Sequence, residues 1–334
     1  MAKMTILISG SLKSKNRPII VYNAHFYHTL YKMTAPLFAV FGNPIAHSRS
    51  PEIHQRFAKQ MGIDLIYEKR LVSGSLKDAV QQFAKDGGVG ANVTVPCKEE
   101  AFALCSQLSD RAKAAGAVNT LIRLPENTVD KIQDETRHRA ADSINNTARR
   151  DNAVSSLNFI DCQWGGDNTD GAGLVMDLQR LNALDNGVKV LLIGAGGAAR
   201  GVVLPLQQAG AEVFIHNRTH GKAVLLANQF NATALTDDNL TTQDFDIIIN
   251  ATSASLSGSL PNLPPQIFKN AQLAYDMVYA KNATLFMQFA KHSGCLKTAD
   301  GLGMLVGQAA VSYHLWHGFM PDIQQVLQQM RENF

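Results

Sequence analysis

Lys98 closes the run Asn92-Val-Thr-Val-Pro-Cys-Lys98, and Asp170 closes Gly166-Asp-Asn-Thr-Asp170. A lysine near a carboxylate can hold a substrate hydroxyl and pass a proton while a carbonyl is reduced. Burial lowers a lysine pKa and a neighbouring carboxylate raises it, so the two effects tune one another. Read alone, the two residues equally describe an ordinary surface ion pair, which contributes little. Downstream, Val188-Lys-Val-Leu-Leu-Ile193 runs straight into Gly194-Ala195-Gly196-Gly197-Ala198-Ala199. A lysine, a carboxylate and a dinucleotide-type loop together describe a redox enzyme that moves a hydride and a proton.

The glycine pattern is G-x-G-x-x-A, placed after a strand and opening a helix. Gly194 permits the tight turn, Gly196 lets backbone approach a pyrophosphate, and Ala199 allows close helix–strand packing. Free N–H groups at the helix start favour phosphate. An NAD site would place Asp or Glu at the end of the next strand, about 20 residues on. This chain has His216-Asn217-Arg218-Thr219 there, with Lys222 one helical turn beyond. Two cations and no acid favour NADP, and Arg218 can also stack on an adenine face.

Short polar side chains accompany the lysine. Asn43-Pro-Ile-Ala-His-Ser48-Arg-Ser50-Pro51 offers two hydroxyls ahead of a helix, although Ser50 also suits an N-cap. Asn92 and Thr94 alternate with Val93 and Val95, so they share one strand face. Asn119 lies in Ala117-Val-Asn-Thr120. Such a set suits a small, polyhydroxylated substrate.

The elements that must position these groups alternate along the chain. Strands are expected at 37–41, 65–71, 89–95 and 118–124, with helices at 50–61, 76–85 and 98–108. A strand at 159–164 is followed by a helix at 171–181, a strand at 188–193, a helix at 198–209, and strands at 212–216 and 245–249. Helices at 305–317 and 322–330 close the pattern. This spacing gives an α/β fold of two domains with a mostly parallel sheet, and Lys98 and Asp170 flank the junction, where clefts form. At 334 residues there is room for about two domains.

Composition bounds the remaining classes. Apolar residues make up 46% and charged residues 18%, which excludes global disorder. A net charge of +3 gives no reason to expect nucleic acid. No run approaches the length needed to cross a bilayer. Cys97, Cys105, Cys162 and Cys295 form no metal-like cluster, so reduced thiols, a cytoplasmic setting and no metal are expected. His47, His314 and His317 read as structural. Residues 1–32 are basic and lack acids, resembling a transit peptide only in part; an optional extension before a start near Met33 is the plainer reading. Residues 125–158 are polar and read as an exposed loop insertion.

Taken together, 41–51, 90–100, 116–121, 166–171, 192–198, 217–219, 248–253, 275–279 and 300–308 resemble the shikimate dehydrogenase family, whose members reduce 3-dehydroshikimate to shikimate with NADPH on the route to chorismate and the aromatic amino acids. The resemblance spans nearly the whole chain from Met33. It implies an N-terminal substrate domain at 33–168, a Rossmann-type NADP domain at 169–303, and C-terminal helices at 304–334 that return to the first domain. It implies that Lys98 and Asp170 are the catalytic pair, with Lys98 the main acid–base group. Ser48, Ser50, Thr94, Asn119, Tyr279 and Gln308 would bind the substrate, with Asn92 close by. Gly194, Ala195, Gly196, Gly197 and Ala198 would take the pyrophosphate; Asn217, Arg218, Thr219 and Lys222 the 2′-phosphate; Met277 and Gly301 the nicotinamide; and Asp110 a further cofactor contact. The partner implied is a small molecule, on a monomer or homodimer. The extension and the insertion depart from the family pattern, and Lys222 stands where arginine is common. Alternatives are a quinate/shikimate dehydrogenase, a folate-linked dehydrogenase of similar architecture, and an NADP-binding sensor without catalysis.

Overall fold

A computed structural model describes residues 35–124 and 163–334. The extension at 1–32, the insertion at 125–158 and the start of the strand expected at 159 lie outside the described residues. Strands β1 (Leu37–Gly42), β2 (Ile66–Leu71), β3 (Gly88–Val93), β4 (Gln107–Leu108), β5 (Thr120–Arg123) and β6 (Trp164–Asp167) make a first sheet in the order β2-β1-β3-β5-β6-β4. Within it only β5 runs against its neighbours. The four residues Phe38 to Phe41 are all buried, as expected for a strand covered on both faces. Phe41 meets Phe83 edge-on at 5.5 Å on one side, and Phe38 lies 4.7 Å from Trp316 on the other.

Helix α1 (Ser50–Met61) begins with a proline in its first turn and ends at Gly62, whose φ of 65° only glycine adopts freely. Helix α2 (Leu76–Lys85) is capped by Ser75, whose side chain accepts from the Asp78 amide. The single helix expected at 98–108 is instead α3 (Lys98–Leu104), β4 and α4 (Asp110–Ala115). Cys105 turns to extended backbone, and Ser109 Oγ accepts from Ala112 N to start a new helix. Leu104 and Leu108 pack against the same core, so their i, i+4 spacing looks the same in either arrangement.

The second sheet holds β7 (Lys189–Ile193), β8 (Glu212–His216), β9 (Thr233–Leu235), β10 (Ile247–Asn250), β11 (Leu273–Asp276) and β12 (Lys297–Asp300). Its order is β12-β11-β10-β7-β8-β9 and every pairing is parallel. That is the doubly wound dinucleotide-binding order, with its switch point between β7 and β10. Val190 and Leu192 face one core with helices α5 (Asp170–Arg180), α6 (Gly197–Gln208) and α7 (His220–Phe230). Leu191 and Ile193 face the opposite core with α8 (Leu285–His292).

Helices α9 (Leu302–His317) and α10 (Ile323–Glu332) leave the second sheet and pack on α1, burying Ile53 and Phe57 against Val306, Tyr313, Val326 and Met330. Helix α5 crosses α9 at glycines. A Cβ on Gly173 would stand 2.4 Å from the Gln308 amide nitrogen, and one on Gly307 would stand 2.9 Å from the Gly173 carbonyl. This close crossing brings the start of α5 beside the middle of α9. Among the described residues, no helix is long and apolar enough to cross a membrane.

Candidate active site

Lys98 is the first residue of α3 and Asp170 the first residue of α5. Their side chains meet at 2.5 Å, Nζ to Oδ2, with 27% and 16% of each exposed. Sequence separation is 72 residues, bridged by β5 and β6 pairing antiparallel with Thr120 opposite Asp167. The other Asp170 oxygen accepts from Asn119 Nδ2 at 2.8 Å. Both carboxylate oxygens are therefore engaged.

These groups sit in a cavity of about 330 Å³ between the sheets, a volume suited to a small molecule. Ser48, Ser50, Thr94 and Asn119 enter it from the first sheet and its loops. Met277, Tyr279 and Gly301 enter from the second, and Gln308 from α9. Ser50 is the first residue of α1 rather than its cap, and no side-chain capping bond is made there. Ser48 Oγ accepts from the Ser50 amide at 3.3 Å, folding the loop so that both hydroxyls reach one end of the cavity. Gly301 has no room for a side chain, since a Cβ there would lie 2.1 Å from the Met277 carbonyl oxygen. Burial pushes the Tyr279 hydroxyl pKa up, partly offset by the Arg49 charge.

Asn92 also lines the cavity, but its carboxamide turns inward. Oδ1 accepts from Tyr67 Oη at 2.6 Å and contacts His54 Nε2 at 3.1 Å, while Nδ2 donates to Ser312 and the Asn119 carbonyl. Its polar atoms are spent on the protein, so it supports the site from behind. Asp110 is not brought to the cavity. Its side chain is 94% exposed and pairs with Lys113 at 3.4 Å in the first turn of α4.

Sequence reasoning gave no role to Arg49, Met304 or Leu305, and read His47 as structural, yet all four line the cavity. Arg49 lies 4.7 Å over the Phe334 ring and donates to Glu52 at 2.7 Å. Its position between Ser48 and Ser50 was the available signal. Cys97, beside Lys98, is held up in pKa by burial and by Glu100, which disfavours thiolate chemistry there.

The loop after β7 lies at the switch point of the second sheet. Gly194 has φ 114°, and a Cβ on it would meet Thr252 Cγ2 at 3.2 Å. Gly196 and Gly197 have open space where side chains would be. Helix α6 starts there with no side-chain cap, so its first N–H groups, with Ala195 and Ala198 beside them, are available to phosphate. Ala199 is fully buried against the sheet. Asn217 holds the next turn by donating to the Thr219 carbonyl at 2.9 Å. Arg218 and Lys222 are exposed and form no ion pair among the described residues. Open glycines, free helix amides and two unpaired cations fit a dinucleotide with a 2′-phosphate.

Comparisons with known proteins bear on the family and the fold. Residues 40–121 match the model of the shikimate dehydrogenase substrate binding domain, 178–257 that of shikimate/quinate 5-dehydrogenase, and 301–331 that of the shikimate 5′-dehydrogenase C-terminal domain. An Ael1 enzyme from Pseudomonas putida is 37% identical, with 88% of this chain and 98% of that one covered and a TM-score of 0.73. Shikimate 5-dehydrogenase from Thermus thermophilus, solved in complex with NADP(H) and shikimate, is 29% identical over 90% and 100% of the chains, with a TM-score of 0.72. The ligand-free 5-ketofructose reductase of a Gluconobacter species is 28% identical over 90% and 99%, with a TM-score of 0.69. With both sheets, the intersheet cavity and all three family segments in register, the chain belongs to the shikimate dehydrogenase family of NADP-linked oxidoreductases.

Proposed function

We propose that the chain catalyses the reversible NADPH-dependent reduction of 3-dehydroshikimate to shikimate. The observation that carries this is the 2.5 Å contact of Lys98 and Asp170 inside a cavity walled by hydroxyls on one side and by Met277 and Gly301 on the other. NADPH, when bound, supplies the hydride. Lys98 holds the carbonyl oxygen and gives it a proton, while Asp170 fixes the ammonium group and accepts from the resulting hydroxyl. Asn119 holds the second Asp170 oxygen and so sets the plane of the carboxylate. Ser48, Ser50 and Tyr279 bind the substrate carboxylate; Thr94 and Gln308 bind ring hydroxyls, with Asn92 bracing the strand behind them. Gly194, Ala195, Gly196, Gly197 and Ala198 take the pyrophosphate, and Asn217, Arg218, Thr219 and Lys222 the 2′-phosphate. The unpaired thiols Cys97, Cys105 and Cys295 support a reducing, cytoplasmic setting.

The test is reduction of NADP⁺ by shikimate, run beside quinate and, in the reverse direction, 5-ketofructose with NADPH. Each arm is repeated with the NAD-series cofactor. Shikimate with NADP⁺ is expected to give the highest kcat/KM. Turnover of quinate or 5-ketofructose alone overturns the substrate, NAD preference overturns the assignment of Arg218 and Lys222, and binding of NADP without turnover of any acid or ketose overturns catalysis.

A further inference from the structure

We propose that Thr120 and Ser312, neither of which lines the cavity, are positioning residues that keep the Asn119 amide, rather than its carbonyl oxygen, turned toward Asp170. The inference rests on the assignment of Lys98 and Asp170 as the reacting pair. Behind the cavity, a continuous set of hydrogen bonds joins the first sheet to α9. His54 Nε2 and Tyr67 Oη both face Asn92 Oδ1, at 3.1 and 2.6 Å. With that oxygen accepting, Asn92 Nδ2 donates to Ser312 Oγ at 3.0 Å. Ser312 and Thr120 hydroxyls lie 2.8 Å apart, and Thr120 Oγ1 is 2.8 Å from Asn119 Oδ1. Asn119 Nδ2 then reaches Asp170 Oδ1 at 2.8 Å.

The proton inventory sets the direction of this chain. A hydroxyl has one proton to give. Ser312 Oγ also lies 3.0 Å from the Gln308 carbonyl. If its proton went there, and Thr120 gave its own to Asn119, two hydroxyl oxygens would face each other with no proton between them. Donation from Ser312 to Thr120 and from Thr120 to Asn119 fills both side-chain contacts and leaves only the contact to the Gln308 carbonyl, which lies within helix α9, without the Ser312 proton. All donors then point one way, from His54 to Asp170. His54, Asn92, Asn119, Thr120 and Ser312 are all buried, so each bond is made where polar groups polarise one another and none is exchanged with bulk water.

The consequence concerns the two ends of one carboxamide. Asn119 Oδ1 accepts from Thr120 Oγ1 and from the Thr169 amide at 2.9 Å. These donors hold the oxygen away from the cavity and leave the NH₂ group for Asp170. Without Thr120 as donor the Asn119 oxygen keeps only the Thr169 amide and hydroxyl. With that hold loosened, a flipped Asn119 would place its oxygen against the carboxylate, and Asp170 would swing off the reacting oxygen.

Thr120→Val keeps the side-chain shape and removes the donor, Ser312→Ala removes the link before it, and Thr120→Ser keeps the hydroxyl. Both the valine and alanine variants are expected to lose about 10-fold in kcat with KM for shikimate changed less than about twofold, within the roughly 10²-fold that a misplaced group can cost. The serine variant is expected to recover most of that loss. In an Asp170→Asn background, Thr120→Val is expected to add nothing further, because its effect runs through that carboxylate. Equal losses in both backgrounds, or no loss in a variant that melts at the wild-type temperature, overturn the proposal. A crystal structure of Ser312→Ala and Thr120→Val reads the same claim without turnover: the Asn119 Nδ2–Asp170 bond is expected to be broken, and an unchanged bond overturns it. A wild-type chain inactive on every substrate would fail the function proposed above while leaving this structural arm to decide the inference.

Discussion

The Lys98 ammonium stands at the first turn of a helix, where the exposed N–H groups oppose a positive charge. Asp170 stands at the first turn of another helix, where the same field favours its negative charge. The lysine's contact with Asp170 offsets that field, and under the proposed function this cation is the proton donor. Lys98→Ala is expected to cut kcat by roughly 10²–10⁴-fold, the range for general acid–base groups, with a smaller change in KM. Steady-state kinetics with shikimate and NADP⁺ check this, and a kcat within threefold of wild type removes Lys98 from proton transfer. Chemistry was legible here because the lysine, the aspartate and the glycine loop each stand in a short, distinctive run of residues. Orientation was not. Asn92 and Thr94 share a strand face, yet Asn92 lies within β3, buried among Tyr67, His54 and Ser312, whereas Thr94 lies just past the end of the strand and faces the cavity. Alternation reports the face and says nothing of how far along it the cavity begins. Arg49 went unassigned because its ring partner, Phe334, is 285 positions away and sequence cannot pair them.

The crossing of α5 on α9 fixes the distance between Asp170 and Gln308. Both helices give glycine to the contact, and the backbone of one touches that of the other. Gly173→Ala is expected to destabilise the fold by about 1–3 kcal/mol, as overpacking does, and to raise KM for shikimate by shifting Gln308. Denaturant unfolding and kinetics together test this; an unchanged midpoint with unchanged KM shows that the crossing tolerates a wider gap. Strong periodicity made several elements readable to the residue, including 50–61, 76–85 and 212–216. Helix α7, strands β9, β11 and β12, and α8 were not anticipated. β9 has three residues and β11 and β12 have four each, too few for a period to show. α7 carries leucines on both an exposed and a buried side, with Leu225 exposed and Leu226 buried, which blurs its stripe.

Across the whole molecule, acid stability follows from two buried histidines, His54 on α1 and His317 at the C-terminal end of α9. His54 is pushed down to about 3, chiefly by burial, with the His317 charge adding to it and the Asn92 bond opposing. His317 is pushed down to about 4 by burial. Tyr67, Tyr313 and Trp316 rings surround them. Folded chains keep both neutral, while unfolded chains protonate near 6.5, so the unfolded state binds more protons as pH falls. Stability should therefore be full above pH 6.5 and decline as pH falls toward 3–4, by an amount on the order of a few kcal/mol between pH 7 and 5. Urea midpoints across that range test it, with His317→Phe expected to flatten part of the slope; an equal slope in that variant assigns the effect to carboxylates instead.

One consequence of the returning α9 and α10 concerns the order in which the molecule is made. Ile53 and Phe57 emerge from the ribosome long before Val306, Tyr313 and Met330, the residues that cover them. Domains of a nascent chain generally complete themselves from the N-terminus forward. Here the earlier half must wait with an uncovered apolar face until nearly all of the later half has been synthesised. The dinucleotide-binding sheet can close first, which leaves the substrate half as the portion that needs protection during synthesis.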